Sequence, residues 1–168
     1  MSKKQEYANL ARDCGKLVKA LLPNPDSKGR VKKLPHQRVV ARVFAKLLSK
    51  YSILQEIYMS LIVHAIKREI ITYGNLAREI NQKFGEEVIP TRGSWLGKSL
   101  GKILGIISLY EWAVGRPFLS VLVVRTDTRV PGEGFEDLVK SFGLKISVRC
   151  EQERCFIAWG NFAWKKVR

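Results

Sequence analysis

The sequence predicts a mainly helical α+β protein, with a basic helical extension over residues 1–50 and a core over residues 51–168 that ends in a small C-terminal β element. Three observations carry this. Apolar residues recur at helical spacing through most of the first 114 positions. A short apolar run rich in β-branched residues follows Pro117. Cations gather at the ends: residues 1–50 hold thirteen Lys or Arg against three Asp or Glu, residues 51–140 eleven against ten, and residues 141–168 six against two.

Tyr7, Leu10, Ala11, Cys14, Leu17, Val18, Leu21 and Leu22 share one helical face until Pro23 and Pro25 stop the pattern, so residues 4–22 read as an amphipathic helix with Lys16 and Lys19 on its polar side. Residues 23–35, rich in proline and cations, read as a loop. Val39, Val40, Val43, Phe44, Leu47 and Leu48 predict a second helix whose other side carries Arg38, Arg42, Lys46 and Lys50, and a third helix covers about 53–67. Thr72 is placed to cap a short helix over 73–84 that Gly85 closes. Ser94 is expected to cap a longer helix running to about 114, with Leu96, Leu100, Ile103, Ile107, Tyr110 and Val114 as its buried stripe. Residues 118–124 read as a strand, 125–129 as a polar tip, 130–135 as a turn and 136–142 as a helical turn or two. The alternation of Leu144, Ile146, Val148 and Cys150 predicts another strand, with 155–159 as its partner.

The 168 residues carry 30 Lys plus Arg against 15 Asp plus Glu, a formal net charge of +15. With 46% hydrophobic residues there is material for a core, which excludes a wholly disordered basic tail. Such a surplus makes a compact domain self-repelling unless something anionic sits against it. The charge-free runs at 103–110 and 117–124 are far shorter than the roughly 20 residues of a spanning helix, so no membrane partner is expected. The first helix acquires charges at Arg12, Asp13 and Lys16 and is not a signal-peptide core. The expected setting is cytoplasmic, either nucleoid-associated or in the cytoplasm of a host cell. Three cysteines, an odd number, suit a reducing compartment.

Helices at 53–67, 73–84 and 94–114, then a strand and a polar tip, follow the order of a winged helix-turn-helix, whose last helix presents its first turn to the major groove. Arg92 and Lys98 would then contact phosphate or guanine edges and Ser94 a phosphate, Lys102 falls with Lys98 on the side away from the core, and Trp95 is a further candidate although tryptophans are more often packing residues than base-stacking platforms. Arg125 and Arg129 flank the tip, where a wing reaches a minor groove or nearby phosphates. Lys28, Arg30, Lys32 and Lys33 of the loop, with Arg38 and Arg42, would add sequence-independent contacts. Gly97, Gly101 and Gly105 form a stripe without side chains, open to two explanations: another helix packs on it, or a phosphate backbone approaches it.

The segment Ile-Thr-Tyr-Gly-Asn-Leu-Ala at 71–77, followed by Trp-Leu-Gly-Lys-Ser-Leu-Gly at 95–101, resembles the winged-helix DNA-binding domain of alkylguanine-DNA alkyltransferases and alkyltransferase-like proteins. The resemblance implies DNA binding. It does not extend to alkyl transfer, because Cys14, Cys150 and Cys155 all lie outside any Pro-Cys-His-Arg motif. The stretch from Tyr73 through 119–124, 131–135 and Trp159 also looks like small uncharacterised proteins of bacterial and phage genomes.

Other chemistry is thinner. Cys150 and Cys155 have no further ligands at zinc spacing and are expected as partly buried thiols on paired strands, and His64 as a structural histidine far from His36. Asp127, Glu133, Glu136 and Asp137 form an acidic cluster, best explained as loop charges and a helix N-terminal turn. Gly-Lys-Ser at 97–99 lacks the strand and glycine of a P-loop. Trp164 is a candidate for stacking on a base. The expectation is a non-enzymatic protein without cofactor or metal that binds nucleic acid, duplex DNA first. Two alternatives stand: a phage or mobile-element interaction protein that engages a protein or nucleoprotein complex, and a metal-dependent DNA-processing enzyme using the acidic cluster.

Overall fold

The structure is a computed structural model that describes residues 1–31 and 33–167, with side chains described through Asn161. Lys32 and the side chain of Trp164 lie outside the described residues. Seven α-helices among the described residues are α1 (Lys3–Leu21), α2 (Gln37–Lys50), α3 (Ser52–Lys67), α4 (Tyr73–Phe84), α5 (Ser94–Ala113), α6 (Glu133–Ser141) and α7 (Val148–Val167). Two short strands, β1 (Ile71–Thr72) and β2 (Val123–Val124), pair in parallel, Ile71 with Val123 and Thr72 with Val124. The fold is therefore mainly helical with a small sheet, as the periodicity predicts. No described helix is long and apolar enough to cross a membrane.

α5 is the axis. Half of its length is buried, from Leu96 to Glu111, and α1, α2, α4 and α6 pack around it. α1 lies beside it in the same direction, since Tyr7 bonds Ser99, Gly15 meets Lys102 and Val18 meets Gly105. α2 covers the other end, with Phe44 stacked on Tyr110 at 4.2 Å between ring centroids. Tyr7, Leu10, Val40 and Phe44 thus join the same core as Leu54, Leu76, Leu100 and Leu119, so the helices of the 1–50 segment are packed into the body.

Local chemistry sets the ends of the elements. Ser2 caps α1 by accepting from the Gln5 amide at 3.2 Å. Glu6, nearly buried, accepts from Ser52 Oγ at 2.9 Å and the Ile53 amide at 3.3 Å, so an acid of α1 caps the N-terminus of α3. Thr72 caps α4 through the Asn75 amide, and Gly85 closes it in the left-handed region at φ 67°. At α5 the cap is Gly93, with φ 94°, and Ser94 is the first helical residue; the cap expected of Ser94 is displaced by one position because only glycine takes that φ without strain.

The β expectations need correction. Within 118–124 only Val123 and Val124 belong to a strand, and Leu119–Leu122 is a 3₁₀ turn. The segment is buried on every side, so it has no strand alternation, and side chains satisfy its backbone in place of a neighbouring strand. Glu151 accepts the Phe118 amide at 2.8 Å, Ser108 Oγ the Ser120 amide at 3.0 Å, and Gln152 donates to the Val121 carbonyl at 3.1 Å. The strands expected at 144–150 and 155–159, and with them the C-terminal β element, are absent: residues 144–147 are irregular and the rest is α7. Glu151, Cys155, Phe156 and Trp159 make a helical buried stripe, whereas Leu144 and Cys150 of the apparent alternation are exposed. Cys150 and Cys155 accordingly sit on one helix, not on paired strands.

A buried polar knot ties α3, α5 and α7 together. Glu111, fully buried on α5, accepts from Arg116 Nε at 2.7 Å and Nη2 at 2.8 Å and from the Tyr58 hydroxyl at 2.5 Å, while the Arg116 guanidinium lies over the Trp159 ring at 4.8 Å. Burial and the neighbouring carboxylate both push the Tyr58 hydroxyl well above its ordinary pKa, and the Glu111 hydrogen bond and charge hold Arg116 protonated.

Candidate nucleic-acid interface

The glycine stripe of α5 has a divided fate. A Cβ at Gly105 would stand 3.3 Å from Val18 of α1, the close helix approach that small residues permit, but a Cβ at Gly97 or Gly101 would meet no atom within 4 Å. Glycine in a helix interior costs about 1 kcal/mol relative to alanine, and at 97 and 101 no packing contact offsets that cost. These two glycines line a cavity of about 740 Å³ between α1, α5 and the start of α6.

Lys98 and Lys102 of α5, Lys19 of α1 and Arg125 beyond β2 line this cavity, with Ser94 at the start of α5 and Glu133 and Asp137 on α6. Gly132 is where the α6 backbone approaches Tyr73 most closely: a Cβ there would lie 2.8 Å from the Tyr73 hydroxyl, which takes a hydrogen bond from the Gly132 backbone. Burial raises the Tyr73 pKa and that hydrogen bond works the other way, so the hydroxyl stays protonated at neutral pH. A second groove of about 420 Å³ adjoins the first and shares Gly15, Lys19 and Lys102 with it, adding Arg12, Lys16, Trp95 and Ser99. The Lys102 stem divides the two, lying so close over Gly15 that a Cβ there would be 2.9 Å from its Cδ.

Cations outnumber carboxylates on this face. Lys16, Lys19, Lys98 and Lys102 have no ion-pair partner among the described residues, whereas Arg125 reaches Asp127 at 3.4 Å and Arg12 reaches Asp13 at 3.7 Å. Trp95 is half exposed, and its ring makes a T-shaped contact with Tyr7 at 5.5 Å between centroids.

The structure thus brings together Ser94, Trp95, Lys98, Lys102 and Arg125. It does not gather the others. Arg92 is exposed in the loop before α5 and lines none of the described cavities. Arg129, in the left-handed region at φ 58°, faces a different cleft with His64, Arg78 and Glu79. Lys28 and Arg30 belong to a turn organised by Asp26, which accepts both their amides at 2.9 Å, and Lys33, Arg38 and Arg42 are exposed away from the groove. Gly15 and Tyr73 belong to the site without standing out in the sequence as site residues, and Lys19 stands out there only as part of the polar side of the first helix. The signal for α1 was present: Ala8, Ala11 and Gly15 are small residues on the side flanked by Arg12, Lys16 and Lys19, which marks a close helix approach beneath a cationic ridge.

Of the acidic cluster, Glu133 and Asp137 reach the cavity and the others do not. Among the described residues no group of three or more His, Cys, Asp or Glu is placed to hold a metal ion. His64 is structural in its contacts, its Nε2 lying 3.0 Å from Glu79.

No protein-family model matches the chain, no curated protein matches it, and no solved structure matches it.

Proposed function

We propose that the protein binds nucleic acid, duplex DNA first, across the face made by α1 and the N-terminal half of α5. The observation that carries this is the set of four lysines, Lys16, Lys19, Lys98 and Lys102, that have no ion-pair partner among the described residues and stand around two adjoining grooves. Holding these cations close together is unfavourable until an anion neutralises them, and a phosphate backbone supplies charge at regular spacing. Ser94 and the exposed first turn of α5 add hydrogen bonds to that backbone.

In this reading α4 and α5 act as a helix-turn-helix and the tight turn at 125–130, closed by the Arg125 amide on the Val130 carbonyl at 2.8 Å, acts as a short wing. Because α1 runs alongside α5, the duplex meets only the first turn of α5 and the lysine ridge, so phosphate contacts outweigh base contacts. Four to five such contacts give a slope of about −4 in log affinity against log salt. Fluorescence anisotropy with a labelled duplex between 50 and 200 mM salt tests this; an affinity indifferent to salt sinks the reading.

A further inference from the structure

The larger cavity has walls of opposite sign. Lys98 and Lys102 rise from α5 and Lys19 from α1 on one side, while Glu133 and Asp137, one helical turn apart on α6, stand on the other, with Arg125 beyond β2 also in the lining. Between them the floor is bare backbone at Gly97 and Gly101, and Val18, Leu22 and Leu138 supply apolar surface. Its volume of about 740 Å³ is that of a small-molecule site and far too little for a duplex. A ligand that matches this lining has an anion at one end, a flat body, and a hydrogen-bond donor at the other end. The lysines take the anion, the glycine floor admits the flat body, and the carboxylates accept from the donor, as Asp and Glu accept from the exocyclic amine of cytosine. A simple inorganic anion leaves the carboxylates repelling it, and a hydrocarbon chain leaves them desolvated without a partner.

We propose that this cavity receives one unpaired nucleotide with an amino-bearing base: its phosphate at Lys98 and Lys102, its base against Gly97 and Gly101, its exocyclic amine at Glu133 or Asp137. The inference rests on the nucleic-acid reading above and narrows it. A nucleoside 5′-phosphate of this kind comes either free or extruded from a strand, where a mismatched position leaves the stack at least cost.

Two measurements on the full chain decide it. Anisotropy compares a fully paired duplex with the same duplex holding one C·A mismatch, and the mismatch is expected to bind about tenfold tighter. Cytidine 5′-monophosphate, titrated alone, is followed at the amide resonances of Gly97, Gly101 and Gly134. Shifts there assign free nucleotide as a source, and a mismatch preference without them assigns the strand-borne one. Gly101→Leu fills the cavity from its floor and is expected to abolish both readouts while keeping paired-duplex affinity, with no fall in melting temperature because leucine is the better helix former. Gly97→Leu repeats the comparison one turn earlier should Gly101→Leu not fold. The inference is overturned if the natural protein shows neither mismatch preference nor shifts, or if a folded cavity-filling variant retains them. The parent reading fails separately, when Lys16→Ala, outside this cavity, and added salt both leave paired-duplex affinity unchanged.

Discussion

The Glu151 carboxylate of α7, 1% exposed, accepts the backbone amide of Phe118 at 2.8 Å, and this bond fastens the last helix to the buried segment ahead of β2. Its other oxygen takes Arg154 Nη1 at 2.9 Å, with that guanidinium largely in solvent. Glu151→Ala strands the Phe118 N–H in the core and is expected to cost about 2–3 kcal/mol. Glu151→Gln keeps an acceptor for the amide and is expected to lose about 1 kcal/mol or less. Urea unfolding of both variants checks the order; equal losses would show that charge, and not amide satisfaction, is what Glu151 contributes.

Acid sensitivity follows from two carboxylates of α1. Burial opposes the ionisation of Glu6, but hydrogen bonds from Lys3, Ser52 and the Ile53 amide outweigh it and hold its pKa below the ordinary 4.5. Asp13 is lowered from 3.8, first by the Tyr51 hydroxyl and then, against some burial, by Lys50. A depressed folded pKa means stability that is present in full above the unfolded value and is lost as pH falls through the folded one. Stability should therefore be flat from pH 7 to about 5 and decline below 4.5. Glu6→Gln should flatten that decline, as read from urea midpoints at pH 6 and pH 3; an unchanged slope would contradict the assignment.

Thiol reactivity should sort by burial. Burial, with Asp13 adding, pushes the Cys14 thiol up to about 12, and burial raises Cys155 as well, so at neutral pH neither holds thiolate to react. Cys150 is exposed on the first turn of α7. Native iodoacetamide treatment at pH 8 should give a single adduct at Cys150, and all three cysteines should label after unfolding. Early labelling of Cys14 would mean that α1 leaves the core, since its thiol sits beneath that helix.

Legibility tracked how far local rules governed each element. α1 to α5 were readable because each has one apolar face and its own stop or cap, as in Pro23 after α1, or Thr72 and Gly85 around α4. The segment 118–124 and α7 were misread because their decisive partners are distant in sequence: Glu151 lies 33 positions from the amide that it satisfies. Alternation at 144–150 is real in composition, yet among the described residues no strand lies beside that segment to pair with it. Of the site, Lys98, Lys102 and Arg125 were legible as charges, but the joining of α1 to α5 that makes a groove of them is tertiary. Charge alone also gives Arg129, Arg38 and Arg42 equal standing, though Arg129 lines another cleft and Arg38 and Arg42 line neither groove.

The glycines allow a test in which packing and binding part company. Gly97→Ala and Gly101→Ala each add a Cβ in open space, so both are expected to raise stability by up to about 1 kcal/mol through helix propensity. Gly105→Ala faces Val18 at 3.3 Å and should gain less or lose, because a β-branched side chain on a packed helix yields little. Gly15→Ala forces the Lys102 stem aside from 2.9 Å, a flexible chain that moves at small cost, so its effect should fall on the position of the ammonium and hence on binding more than on the fold. Thermal melts rank stability, and anisotropy at fixed salt ranks affinity. A stability gain at 97 and 101 with weakened binding of the mismatched duplex would identify their bare backbone as functional surface; stability losses there would mean that the cavity is filled by the protein itself in solution.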